Sequence, residues 1–130
     1  MNEIPFESFG KIDQELLKRF SVASGDLNEI HLNEDTAKKM GLPGVIAHGM
    51  LIAGYISSRA QSAMRGLEGN YRLVDLSFRF KAMTFLGEEV LVGGNIQESD
   101  GKNLKIHLQA VNGNQEVKTE AVAQYTKITG

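Results

Sequence analysis

The chain has 130 residues, 42% hydrophobic and 23% charged, with a formal charge of −2 and no cysteine. These values fit one soluble domain with a single core, and they exclude disulfides, thiolate nucleophiles and Cys-ligated zinc or iron–sulfur centres. The near balance of charge, without a Lys/Arg run, offers no basic face to nucleic acid or to an anionic membrane, so neither is expected as a partner.

At the N-terminus, MNEIPFESFG carries no basic region followed by an apolar run, and no secretory signal is read from it. The longest apolar stretch, MLIAGYI, is too short to cross a bilayer. A cytoplasmic protein is expected, which suits the lack of cysteine. EIPFESF is short enough for an edge strand, where Pro5 is tolerated. DQELLKRFSVAS then predicts a helix, with Asp13 as cap, Leu16, Phe20 and Ala23 on one stripe, and Gly25 placed to end it. SGDLNEIH, residues 24–31, has neither a helical nor a strand period. A short helix follows, with Asn33 as cap, DTAKKM as body and Gly41 as terminator.

GMLIAGYISSRAQSAM, residues 49–64, is apolar nearly all round in its first two turns, the pattern of a buried helix. Gly54 inside it costs about 1 kcal/mol against alanine, which suggests a second backbone lying close. Beyond residue 65 the period changes to two. In YRLVDLSFRFK, Val74, Leu76, Phe78 and Phe80 alternate with Asp75, Ser77, Arg79 and Lys81, as in a half-buried strand. VLVGGNI, NLKIHLQAV and EVKTEAVAQYTKI predict three more strands, with turns at SDGK (99–102) and NGN (112–114). The sum is an α+β protein, an antiparallel sheet of about five strands curled around one buried helix.

Two stretches carry chemistry. Asp26 and His31 lie five positions apart, which on an α-helix would separate them by about 140°. A loop starting at Gly25 can aim both at one point, and a carboxylate beside an imidazole can hold a water and move its proton. The second stretch is IAHGML, residues 46–51. A helix starting near Gly49 presents free N–H groups, and glycine lets a carbonyl oxygen approach them, as an oxyanion hole requires. The sequence also allows His48 and Gly49 simply to start a buried helix, and Asp26 simply to make a turn. His107 alternates with Leu104, Ile106 and Leu108, so a position on the solvent-side face of its strand is expected. The three histidines form no zinc signature, and neither GxGxxG nor a P-loop is present.

FSVASGDLNEIH, the 17-residue interval from His31 to His48, and HGMLIAGYISS together resemble the hydratase motif of the MaoC-like family, which includes the (R)-specific enoyl-CoA hydratases. The resemblance covers nearly the whole chain and implies a single hot-dog domain over residues 1–130. It implies that Asp26 and His31 activate a water, and that Asn28 braces their loop. The Gly49 N–H would hold a thioester oxygen, with His48 and Ser57 near the substrate. Ser57 has a local alternative, a bond back to the carbonyl four residues earlier. The substrate would be an enoyl thioester of CoA or of acyl carrier protein, and no metal or redox cofactor would be needed. Arg72, Arg79 and Lys81 are candidate partners for CoA phosphates. Such proteins pair as homodimers or larger homo-oligomers through sheet edges.

Two residues depart from the family pattern: Glu29 and Met83 stand where relatives carry proline, and the first change is expected to loosen the loop. Two other activities fit the same fold. One is acyl-thioester hydrolysis, and the other is non-catalytic acyl-thioester binding.

Overall fold

In the computed structural model, residues 3–128 are described, without the side chain of Glu98. Their order is β1 (Glu3–Lys11), α1 (Gln14–Ser24), one 3-10 turn (Glu29–His31), α2 (Glu34–Lys39), α3 (Gly49–Met64), β2 (Tyr71–Phe80), β3 (Glu89–Ser99), β4 (Asn103–Val111) and β5 (Val117–Lys127). The five strands form one antiparallel sheet in the order β1-β3-β4-β5-β2. Its inner face closes on α3, whose Leu51, Ile52, Ile56 and Ala60 are buried with Val92, Ile106, Leu108 and Ala123 of the sheet. β3 and β4 approach closely at one point: a Cβ on Gly94 would run into the His107 carbonyl. The sheet wrapped on one helix is the predicted hot-dog arrangement, and His107 alternates with buried Ile106 and Leu108 as expected.

Local signals place the helices well. The Asp13 carboxylate accepts from Leu16 N at 2.8 Å, and Gly25 ends α1 in the left-handed region at φ 80°. Asn33 caps α2 by accepting from Thr36 N, and Gly41 follows with φ 87°. The loop carrying Asp26 contains the one 3-10 turn, which the sequence period does not reveal.

Three expectations change. On α1 Leu16 and Phe20 pack partly buried against the core as predicted, but the fully buried residues are Leu17 and Ser21, and Ala23 is exposed. The helix is turned so that Ser21 meets His48 rather than presenting its apolar stripe alone. On β2, Val74 and Phe80 are 59% and 53% exposed, because the strand is an edge and its register shifts between Leu73 and Asp75. On α3, Gly54 is exposed and a Cβ there would meet nothing within 4 Å, so no second backbone of this chain explains it. The same open face carries Met50, 66% exposed.

Candidate active site

The Asp26–His31 loop is built from short side-chain bonds to backbone. The Asp26 Oδ1 accepts from Asn28 N at 3.2 Å, and Asn28 Oδ1 accepts from Ile30 N at 3.1 Å, capping the 3-10 turn that delivers His31. Such Asx bonds close tight turns without help from secondary structure. Asn28 therefore braces the loop. His31 is buried, and its Nδ1 lies 2.8 Å from the Ile46 carbonyl oxygen. A carbonyl only accepts, so Nδ1 carries the hydrogen and Nε2 of the neutral ring keeps a lone pair. That Nε2 lies 3.8 Å from Asp26 Oδ2, and the Asp26 side chain is 53% exposed.

His48 joins these parts. Its ring stacks on His31 with centroids 3.7 Å apart and meets the edge of Phe20 at 4.9 Å. Its Nε2 lies 3.3 Å from the Asp26 carbonyl oxygen and 3.0 Å from Ser21 Oγ. The carbonyl fixes Nε2–H as the donor, which leaves the buried Nδ1 as an unpartnered acceptor. Burial lowers the His48 pKa from 6.5, and the neighbouring His31 adds to this. The hydrogen bond to the Asp26 carbonyl and the Asp26 charge oppose the shift without cancelling it. His48 thus fills a bridging place between α1, the loop and the start of α3.

His31 and Gly49 share a cleft of about 340 Å³. Ile46, Ala47 and Ile52 complete their side, and Phe80–Thr84 with Thr119 form the opposite wall. His48 caps α3 without a side-chain bond to the helix, so the first N–H groups, which lack an intrahelical acceptor at any helix start, are not taken up by the cap side chain. Gly49 is closely approached: a Cβ there would stand 3.2 Å from the Phe80 ring, tight enough that the ring would have to shift. Asp26, His31 and His48 offer ligand atoms within 4.8 Å of one another. Yet the two rings lie face to face at 22°, so their in-plane lone pairs run alongside each other instead of converging as a tetrahedral ion needs.

The chain matches the MaoC like domain over residues 3–121. It belongs to the MaoC-like family. Of the similar proteins, an (R)-specific enoyl-CoA hydratase from Rhodospirillum rubrum is 39% identical over 71 residues, covering 55% of this chain and 48% of that protein. The chain thus spans about half the length of that relative. An (R)-hydratase from A. caviae involved in PHA biosynthesis superposes with a TM-score of 0.84 at 19% identity, covering 98% and 96% of the two chains. An R-hydratase from Pseudomonas aeruginosa gives 0.80 at 22% identity, covering 100% and 83%. These structures share the hot-dog fold.

Within this MaoC-like domain, the remaining sequence candidates separate. Ser57 does not line the cleft; its hydroxyl donates to the Ala53 carbonyl at 3.0 Å, the local bond of a helical serine. Of Arg72, Arg79 and Lys81, only Lys81 lines the cleft, and its Nζ lies 3.5 Å from Glu120. Glu29 heads the 3-10 turn with its carboxylate 3.5 Å from Thr36 Oγ1. Met83 lies in the cleft wall with its carbonyl oxygen 2.8 Å from Lys118 Nζ. Sequence reasoning missed that wall, because Phe80 reads as a core strand residue and the loop after it has no period. No helix among the described residues is long and apolar enough to cross a membrane.

Proposed function

We propose that the protein catalyses reversible (R)-specific hydration of a trans-2-enoyl thioester, as a hydro-lyase. The observation that carries this is the 3.8 Å gap between His31 Nε2 and Asp26 Oδ2 beside the cleft. The gap exceeds a direct hydrogen bond, yet one water about 2.8 Å from each group can donate to both acceptors. Such a water turns its own lone pairs outward. Its oxygen bonds C3, one hydrogen passes to the Asp26–His31 pair, and the pair returns a proton to C2 on the same face. The charge that builds on the thioester oxygen in between is met by the Gly49 N–H at the positive end of α3. Dehydration runs the same steps backward. The route uses no metal or redox cofactor.

Similarity to an (R)-specific enoyl-CoA hydratase supports this chemistry, and CoA or acyl-carrier-protein thioesters are the substrates proposed. Asn28 and His48 serve by holding the loop and the His31 ring. A homodimer is proposed through β2. The opposite edge, β1, carries Pro5, Glu3, Glu7 and Lys11, which blunt an edge, whereas β2 exposes Leu73, Val74 and Phe80. A cytoplasmic setting fits a cysteine-free chain acting on such thioesters. Asp26→Asn and His31→Ala should each lower turnover on crotonyl-CoA by at least ~10²-fold, the scale of a positioned acid or base. Near-normal turnover in either folded variant would remove that residue from the mechanism.

A further inference from the structure

The cleft wall facing His31 and Gly49 runs from the end of β2 into the loop Lys81–Glu88, which belongs to no helix or strand. Behind it lies a buried cation. Lys118, the second residue of β5, keeps only 5% of its side chain exposed. Its Nζ donates to the Met83 carbonyl at 2.8 Å and pairs with Glu88 at 3.1 Å and Glu116 at 3.0 Å. The ammonium also stands 5.5 Å from the centre of the Phe85 ring. Its own backbone carbonyl accepts from Lys81 N at 2.9 Å and Ala82 N at 3.1 Å.

Glu88 extends the hold. Oε1 accepts from Phe85 N at 2.8 Å, and Oε2 accepts from Asn112 Nδ2 at 2.7 Å. On the cleft side, Ala47 N donates to the Thr84 carbonyl at 2.8 Å, next to the start of α3. The loop is therefore fixed along its cleft-lining stretch by the Lys118 backbone carbonyl at residues 81 and 82, by the Lys118 ammonium at Met83, and by Ala47 at residue 84. Stability alone does not call for such a cluster, since a buried ion pair replaced by apolar side chains is often neutral or better. An apolar residue at 118 lacks the means to bind a carbonyl and two carboxylates together, which is what keeps Met83 in place.

The geometry points to Lys118 as a positioning residue whose side chain sets the width of the cleft, and so the acyl group it accepts, by holding Met83 within the Lys81–Thr84 wall. This rests on the proposal that an acyl thioester occupies the cleft. Lys118 touches no reacting atom; it acts through Met83 and its neighbours. Releasing the wall lets it move outward, which favours a longer chain over a shorter one.

The test measures kcat/KM for crotonyl-CoA and trans-2-octenoyl-CoA in the unaltered protein, Lys118→Met and Glu116→Gln, with dissociation constants for butyryl-CoA and octanoyl-CoA by calorimetry. In Lys118→Met the octenoyl-to-crotonyl ratio should rise about ten-fold, the scale on which apolar pockets sort substrates by small differences in size. Glu116→Gln, which removes one half-exposed partner and leaves Glu88, should shift it the same way by less. The binding ratio should follow. A variant that only loses thermal stability, with both ratios unmoved, overturns the assignment. If Lys118→Met does not fold, an unmoved ratio in Glu116→Gln overturns it. Thioester binding without turnover in the unaltered protein would defeat the hydration proposal alone, since the binding ratios still read the wall.

Discussion

At the scale of single residues, the site depends on keeping two stacked imidazoles from carrying charge together. In the proposed hydration His31 shares in moving a proton, which is favoured by keeping the ring 3.7 Å away neutral. Burial of His48 does this by lowering its pKa from 6.5. As the pH falls, the unfolded chain then takes up this proton before the folded one does. The stability from a neutral His48 is therefore complete above pH 6.5 and is lost as the pH falls through its folded pKa. Glu88 acts in a separate and lower window. Burial alone would raise its carboxyl, but Asn112, the Phe85 N–H and Lys118 outweigh it and bring the pKa below 4.5. Its stability is present above 4.5 and lost below. Thermal midpoints of the unaltered protein should thus fall between pH 7 and 5.5, and His48→Gln should flatten that decline while keeping the one below 4.5. An equal decline in His48→Gln would show that another group sets the upper window. The approach of Asp26 to His31 and the place of Gly49 at a helix start were legible in the sequence, because a loop motif and a helix start are local signals. The partners of His48 were not, since Ser21 lies 27 positions away and reads as an ordinary helical serine.

Among the elements, α3 and β2 show where periodicity succeeds and where it stops. The apolar run of residues 49–64 gave the long helix, and the buried residues Leu51, Ile52 and Ile56 confirm its inward face. Its outward face, with Met50 and Gly54, looks the same by composition and is open in the single chain. Likewise, strict alternation in β2 says that one face is apolar, not that the chain itself covers it. Position at the sheet edge and the register shift at Val74 decide the matter, and both depend on long-range pairing. The exposed apolar residues of β2 make a homodimer the expected solution state. Val74→Asp, at a position outside the regular ladder, should leave the monomer folded and convert the dimer to monomer in size-exclusion chromatography with light scattering. A monomeric unaltered protein, or a dimer untouched by this change, would rule out β2 as the joint.

Across the whole molecule, the sheet order places β5 beside β2 and both beside the start of α3, so the cleft forms where the loop after β2 passes the α3 N-terminus. One wall is tied to the Asp26–His31 loop through the Ile46 carbonyl, and the other to β5 through Lys118. Half of this arrangement could be read from residues 24–51. The other half joins residues 80–84 to 118–119, which no local pattern connects. The proposed hydration rests on one claim above the rest: a water held between Asp26 and His31 adds to C3 of an enoyl thioester, not to its carbonyl carbon. The most direct test is to follow loss of the enoyl-thioester absorbance when the purified protein meets crotonyl-CoA, with chiral analysis of the product and a free-thiol assay in the same reaction. Formation of (R)-3-hydroxybutyryl-CoA without thiol release is the predicted result. Release of free CoA, or the (S) product, would contradict it.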